Sequence, residues 1–274
     1  MRKKIRIGIV GCGAIGSSLA KAITKEFSAD AYVSALFDTQ PDKAQLLSVA
    51  LRKDISLAVS SLKDLISFSD FIIESSSAQA SGGICRQAVN NGKDILVMSV
   101  GGLLKSYPRI FNLAKKKKVK VYIPSGAIGG VDALKALNLS DVKKVTLTTT
   151  KNPIAFKKVE YLIKKRIVLS EIKSKKVLFY GNALRAVRCF PQNINVAAVL
   201  SLVGIGAKQT KVKIVASPKV NKNIHEVQII SRAGNFYSRS ENVLHPGNPK
   251  TSYLAFLSAK ALLRDIFLPV KIGT

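Results

Sequence analysis

Two histidines occur in 274 residues, and one of them sits on the apolar side of a strand-like stretch. "NKNIHEVQII" (221–230) alternates as a β-strand does, so His225, Val227 and Ile229 share one face and Glu226 and Gln228 the other. Such an imidazole is either a satisfied core histidine or a proton acceptor facing an apolar-walled pocket. Its ordinary pKa, near 6.5, suits it to proton transfer. The other histidine, His245 in "LHPGNP", lies in a proline-flanked loop between a strand and the last helix and ranks behind it.

A second chemical signal stands at the start of the chain. "GIVGCGAIGSS" holds Gly11-x-Gly13-x-x-Gly16 directly after an apolar strand and opening a helix. Gly11 permits a tight turn, Gly13 lets the backbone approach a pyrophosphate, and Gly16 lets helix and strand pack closely. Ala14 and Ile15 complete the first helical turn, whose N–H groups and dipole favour phosphate. Asp38 ends the next strand, where a carboxylate accepts from the ribose hydroxyls of NAD and repels the extra phosphate of NADP. No arginine follows it immediately, so NAD is the expected cofactor, with NADP the alternative. A plain turn aspartate is the competing reading of Asp38. "ESSSAQA" (74–80) belongs at the same carboxyl ends of the strands, either along the cofactor's edge or as a simple serine-rich turn.

The second half offers polar groups at element ends. "IPSGAIGGVDALKAL" (123–137) places Ser125, Gly126 and Ala127 in a small-residue loop with room for a flat ring or for backbone N–H contacts to a carboxylate. "CFPQNINVAAVLSLVG" (189–204) sets Gln192, Asn193 and Asn195 at the head of an apolar helix, where either asparagine also works as a cap. "NPKTS" puts Lys250, Thr251 and Ser252 at an expected helix start, as partners for a carboxylate or phosphate or as a helix cap.

These residues need elements to hold them. Strands are expected at 4–10, 31–38, 71–75, 94–100 and 118–123, alternating with helices at 14–27, from Pro41, at 79–91 and at 106–117. That alternation is the pattern of a parallel, doubly wound α/β sheet, a Rossmann domain over 1–123. Strands then dominate, at 143–151, 175–181, 211–217, 224–231 and 236–243. Helices are expected near 130–138, 181–189 and 193–206. This is a mixed α+β domain over 124–244 for substrate and dimerisation, followed by a segment, 245–274, whose helix (249–266, with Pro249 in its first turn) returns to the first domain.

Composition narrows the class. The longest apolar run is about twelve residues, short of the roughly twenty a spanning helix needs. The basic, then apolar N-terminus is interrupted by Arg6 and followed by Lys21, so it reads as mature structure in a cytoplasmic protein. Cys12, Cys85 and Cys189 are scattered, with no spacing for a disulfide framework or a metal site. Lys and Arg outnumber Asp and Glu 44 to 16, for a net charge of +28. Such a balance raises nucleic acid or another anionic partner, but aromatic residues are 7% and Trp is absent, leaving few stacking platforms. Nucleic-acid binding is therefore not the expected primary role.

Taken in order, "GCGAIG", "MSVGGL", "IPSGAIGGVDAL", "FPQNINVAAVLSL", "NIHEVQI" and "NPKTSYLAFLSA" resemble the L-aspartate dehydrogenase family across essentially the whole chain. The resemblance implies NAD(P)-dependent oxidation of L-aspartate to iminoaspartate, which hydrolyses to oxaloacetate and ammonia or feeds NAD synthesis; separately, the exposed side of a sheet-rich second domain makes a homodimer the expected assembly. It implies that Ala127 and Asn193 contact NAD and that His225 is the active-site residue. Leu244 and Gly247 depart from the family's proline and glutamate, and the positive charge is unlike a typical member. Other readings keep the same architecture: a reductase of another amino acid or cyclic imine, or a non-catalytic dinucleotide- or nucleic-acid-binding protein.

Overall fold

A computed structural model describes residues 3–52, 54–191 and 194–273, with the backbone alone at 248–250. The chain divides into two units, Met1–Pro124 with Ala259–Val270, and Ser125–Ser258 with Lys271–Thr274. The second crossing between units thus falls inside the last helix, and residues 245–258 belong with the second unit.

In the first unit the elements are β1 (Ile5–Val10), α1 (Ala14–Glu26), β2 (Ala31–Phe37), α2 (Pro41–Leu51), α3 (Leu62–Phe68), β3 (Phe71–Glu74), α4 (Ala78–Asn90), β4 (Asp94–Val97), α5 (Tyr107–Lys117) and β5 (Val121–Tyr122). The five strands are parallel in the order β2-β1-β3-β4-β5. Both faces of the sheet are covered, which is why its strands read as continuous aliphatic runs: Ile7, Ile9, Ile72, Ile73, Ile95 and Leu96 are fully buried. Each such side chain contributes about 1.5–3 kcal/mol by leaving water, so the strand ends are held on a stiff frame. From β1 the chain winds to β2 on one side and β3 on the other. The crevice at their carboxyl ends is the topological switch point where doubly wound sheets take ligands.

Local chemistry trims the expected elements. The 94–100 strand stops at Val97 and passes into a 3-10 turn, Val100–Lys105. The 118–123 strand shrinks to two residues, because Lys118 adopts a left-handed conformation to end α5. The run Lys115–Lys117 lies in the last turn of α5, where cations meet the negative end of the dipole.

The second unit comprises α6 (Val131–Leu137), β6 (Val142–Lys151), α7 (Glu160–Lys164), β7 (Lys176–Asn182), α8 (Ala183–Cys189), α9 (Asn195–Val203), β8 (Lys211–Ala216), β9 (Asn223–Ser231), β10 (Gly234–Asn242), β11 (Leu244–His245), β12 (Asn248–Ser252) and the start of α10 (Tyr253–Phe267). Its five-stranded sheet runs β10-β9-β6-β8-β7, antiparallel except for the central β6–β8 pair. Helices cover one face: Leu134, Ala183, Ala186, Ala197 and Leu200 pack with Val145, Leu147, Val212, Ile214, Val227 and Ile229. On the other face Glu226 accepts hydrogen bonds from the Tyr237 hydroxyl (2.8 Å) and Arg239 (3.1 Å).

One expectation is corrected. Pro249 does not begin the last helix: Pro246 and Gly247 turn the chain back, Asn248–Ser252 pairs with Leu244–His245, and the helix starts at Tyr253. A two-stranded ribbon tolerates proline because an edge position needs no N–H at every residue. Lys250 and Thr251 are consequently strand residues, and only Ser252 abuts the helix. Farther along, Ala259, Leu263 and Phe267 of α10 are buried, Lys260 pairs with Glu26 at 2.6 Å, and Phe267 meets Phe27. Among the described residues, no helix is long and apolar enough to cross a membrane.

Candidate active site

In the first unit the glycine loop joins β1 to α1. Gly11 has φ +92°, and a Cβ there would strike the Ser75 carbonyl group; a Cβ on Gly16 would run into the carbonyl oxygen of Gly11. Both glycines are therefore demanded by the protein's own packing. Gly13 differs: its φ is −73° and nothing lies within 4 Å of where its Cβ would be. Protein packing does not explain that glycine, whereas a ligand backing onto the loop does. Gly13 is the N-cap of α1, and no acidic residue occupies the first turn, which Ala14, Ile15 and Gly16 help form. The free N–H groups and dipole there suit a pyrophosphate, so these residues fit NAD or NADP.

Asp38 follows β2 and turns back to the loop. One carboxylate oxygen accepts from the Cys12 N–H (2.8 Å) and the other from Gln40 N–H (2.9 Å). It is fixed beside the glycine loop, half-buried, with lone pairs left to accept further. The serine-rich turn also meets the loop: Ser75 Oγ donates to Gly11 O (2.8 Å), tying the ends of β1 and β3 together. Glu74, the first residue of that stretch, is fully buried and accepts from Ser76 N–H (2.9 Å), Ser76 Oγ (2.7 Å) and Ser99 N–H (3.0 Å). Its strand-end position before three serines was the available signal.

In the second unit the helix-covered face of the sheet changes character along its length. Reading along β6, Val145 and Leu147 are apolar, then Thr149 and Lys151 follow on the same side; along β9, Ile229 and Val227 give way to His225 and Asn223. All eight are buried. Thr149 Oγ1 lies 2.9 Å from His225 Nδ1, and Ser240 of β10 is registered opposite His225 on the other flank. Ser240 Oγ and Asn242 Nδ2 each donate to the Ala127 carbonyl at 2.9 Å, so the loop that carries Ala127 is pinned to the His225 end of the sheet. Gly126, next to half-buried Ser125, donates its N–H to Ser258 Oγ (3.1 Å). Asn223 Nδ2 donates to Ser252 Oγ (3.0 Å), which brings the β12 segment containing Thr251 to the same region.

The other candidates are less well gathered. His245 is buried, but its ring packs on Tyr253 and Phe256 and its Nδ1 accepts from Gly247 N–H (3.1 Å), which accounts for it structurally. Asn195 is the exposed first residue of α9. Asn193 and the Lys250 side chain lie outside the described residues. Lys151, not singled out from the sequence, is the one buried Lys or Arg among the described residues. Its signal was present in "KKVTLTTTK", where alternate positions place it on the Val145–Thr149 side of the strand.

Burial sets the charges. The His225 ring is pushed down to about 3, first by desolvation and then by the Lys151 cation; Lys151 is pushed down to about 8 by desolvation. At neutral pH the imidazole is thus uncharged. Below pH 6.5 the unfolded chain protonates His225 while the folded chain resists down to about 3, so this residue's contribution to stability is lost as pH falls through that window. The upper bound is on the order of 5 kcal/mol. Thermal melts from pH 7 to pH 4 should show a steeper fall in wild type than in H225Q; parallel curves would contradict a buried neutral ring.

Comparison with known proteins decides the family. Residues 132–266 match the family model "Aspartate dehydrogenase, C-terminal", and residues 11–124 match "Homoserine dehydrogenase, NAD binding domain". The L-aspartate dehydrogenase of Methanosarcina acetivorans is 42% identical over 273 residues, covering 98% of this chain and all of that one. The chain belongs to the L-aspartate dehydrogenase family. That of Methanocaldococcus jannaschii is 40% identical over 274 residues, again covering 98% of this chain and all of its own. The crystal structure of aspartate dehydrogenase from Thermotoga maritima superposes with a TM-score of 0.72 at 26% identity, over 99% of this chain and 100% of that one. A homoserine dehydrogenase from Thiobacillus denitrificans shares the fold, with a TM-score of 0.61 at 16% identity over 97% of this chain and 73% of its own. This family member is an NAD(P)-dependent oxidoreductase with an N-terminal Rossmann domain and a second domain built on a mixed sheet.

Proposed function

We propose that this enzyme oxidises L-aspartate to iminoaspartate, which water converts to oxaloacetate and ammonia, with a link to NAD biosynthesis. The observation that carries the reading is the buried, uncharged His225 at the polar end of a sheet whose Ala127 loop is pinned beside it. Bound NAD would supply the hydride acceptor for the aspartate Cα. Gly11, Gly13, Ala14, Ile15, Gly16 and Asp38 would hold it, and the family resemblance adds Ala127 and Asn193 as contacts.

His225 takes the proton that the substrate amine gives up as the Cα–H bond breaks and the C=N bond forms. With Nδ1–H donating to Thr149 Oγ1, the ring presents the lone pair of Nε2 as the acceptor. A base held near 3 is weak, but the substrate brings two carboxylates, and negative charge beside the ring favours its protonated form. Ser125, Asn195, His245 and Thr251 are the remaining candidates for substrate contacts, together with Lys250. The same reading makes the enzyme cytoplasmic and homodimeric.

The test is aspartate-dependent reduction of the nicotinamide with ammonia released one for one. Cofactor choice is tested separately: D38S should lower kcat/KM with NAD roughly tenfold and narrow the NAD-to-NADP ratio, as expected for loss of a charge-assisted hydrogen bond and of repulsion toward the extra phosphate. An unchanged ratio would show that Asp38 serves only the loop N–H groups.

A further inference from the structure

Glu74 is fully buried, the only Asp or Glu so enclosed among the described residues. It ends β3, the strand beside β1, and its carboxylate reaches two turns at once. One oxygen accepts from the N–H and the hydroxyl of Ser76, in the turn after β3. The other accepts from Ser99 N–H, beyond the end of β4. Met98 N–H also donates to the Glu74 carbonyl at 2.8 Å, so the main chain already joins the two strand ends. The carboxylate is therefore not what holds the strands together, and burying it costs free energy that a neutral side chain would not. Its hydrogen-bond donors are neutral, which fixes the charge in place without cancelling it. The charge is felt nearby: the buried Cys85 thiol is pushed up to about 12, first by burial and then by the Glu74 carboxylate.

We propose that the Glu74 carboxylate biases the bound cofactor toward its oxidised form, by attracting the positive charge that the nicotinamide ring carries in NAD and loses in NADH. A dinucleotide lies across the carboxyl ends of the strands with its pyrophosphate at the glycine loop after β1. With Asp38, after β2, taking the adenosine ribose, the strand order β2-β1-β3-β4 leaves the nicotinamide half to the β3 side. Glu74 ends β3, on that side. Ser75, the next residue, donates to the Gly11 carbonyl at 2.8 Å, so the acid is tied to the cofactor loop through its neighbour. Inside the protein such a charge is screened far less than at the surface, so its attraction acts over a longer range. A hydride brings the ring one proton and two electrons and removes its charge, so the attraction favours one form only.

The experiment compares full-length wild type with E74Q and E74D. Fluorescence titration gives the Kd of NADH, and displacement of NADH gives those of NAD and of ADP-ribose, which has no nicotinamide ring. Melting curves accompany each protein. No amino acid is present, so the outcome does not depend on which substrate the enzyme oxidises. E74Q keeps the size of the side chain and loses the charge. Its ratio of NAD Kd to NADH Kd should rise roughly tenfold, with ADP-ribose bound as in wild type. E74D keeps the charge on a shorter stem that cannot reach both turns. It should melt at a lower temperature and hold the wild-type ratio. An unchanged ratio in E74Q would overturn the proposal, as would a shift in E74D equal to that in E74Q, since geometry would then be the cause. Equal losses of NAD, NADH and ADP-ribose in E74Q would make Glu74 a structural clasp and overturn it too. So would failure of E74Q to fold, because the fold itself would then require the acid.

Discussion

Replacing His225 with Asn is expected to lower kcat by roughly 10²–10⁴-fold, the range that a positioned general base contributes. The substitution keeps a polar side chain beside Thr149, so the hydroxyl 2.9 Å away retains a partner and the buried face is not left with an unsatisfied group. NADH affinity should be unchanged, because the glycine loop, Asp38 and the serine-rich turn are held by contacts within the first unit. The loss should fall on kcat and kcat/KM together, as for an interaction made in the transition state. Assays at rising pH add a second readout. Deprotonated substrate amine becomes available without help as pH rises, so the deficit of H225N should shrink on the alkaline side. Near-wild-type kcat at pH 7 would remove His225 from the chemistry, and a matched fall in melting temperature would make its role structural.

The second large effect separates two glycines of one motif. G13A should leave stability within about 0.5 kcal/mol of wild type, since its φ of −73° suits alanine and the new methyl meets no protein atom within 4 Å. NADH affinity should nevertheless fall roughly 10–100-fold, because the methyl takes the space through which the pyrophosphate reaches the N–H groups of α1. G16A should behave in the opposite sense. Its methyl meets the carbonyl oxygen of Gly11, a backbone atom that cannot rotate away, and the helix must shift from β1. A cost of about 3 kcal/mol is expected, or a melting temperature lower by roughly 6–12 °C. Normal NADH binding by G13A would show that the open side of the loop is not the cofactor side. Melting curves and NADH fluorescence titrations of the two variants decide both points.

What could be read from residues alone follows the range of the interactions. The glycine motif and the α/β alternation are local patterns, and β1, α1, β2 and α4 form within a residue or two of the expected limits. The buried face of His225 was legible because the strand alternates from His225 to Ile229, and Val227 and Ile229 are buried with it as that alternation requires. The side of β6 on which Lys151 lies follows from local alternation, but its nearness to His225 depends on β6 pairing with β9 across 76 residues, which no local window contains. Glu74 was hidden for the same reason: its partners come from the turn after β3 and from Ser99 after β4. The Pro249 helix start failed on a local rule applied in the wrong place. Proline suits a first helical turn, but it also suits the return strand of a ribbon, and the Pro246–Gly247 turn selects the ribbon. The excess of positive charge finds partial explanation at one helix end, Lys115–Lys117.

The central claim is the substrate, and one assay addresses it most directly. Reduction of NAD, and in parallel of NADP, is followed at mildly alkaline pH with L-aspartate, L-glutamate, L-alanine, L-homoserine or no amino acid. The account predicts reduction with L-aspartate well above every other amino acid, and one ammonia released for each nicotinamide reduced. Equal rates with L-alanine, or no rate with L-aspartate from protein that demonstrably binds NADH, would contradict it.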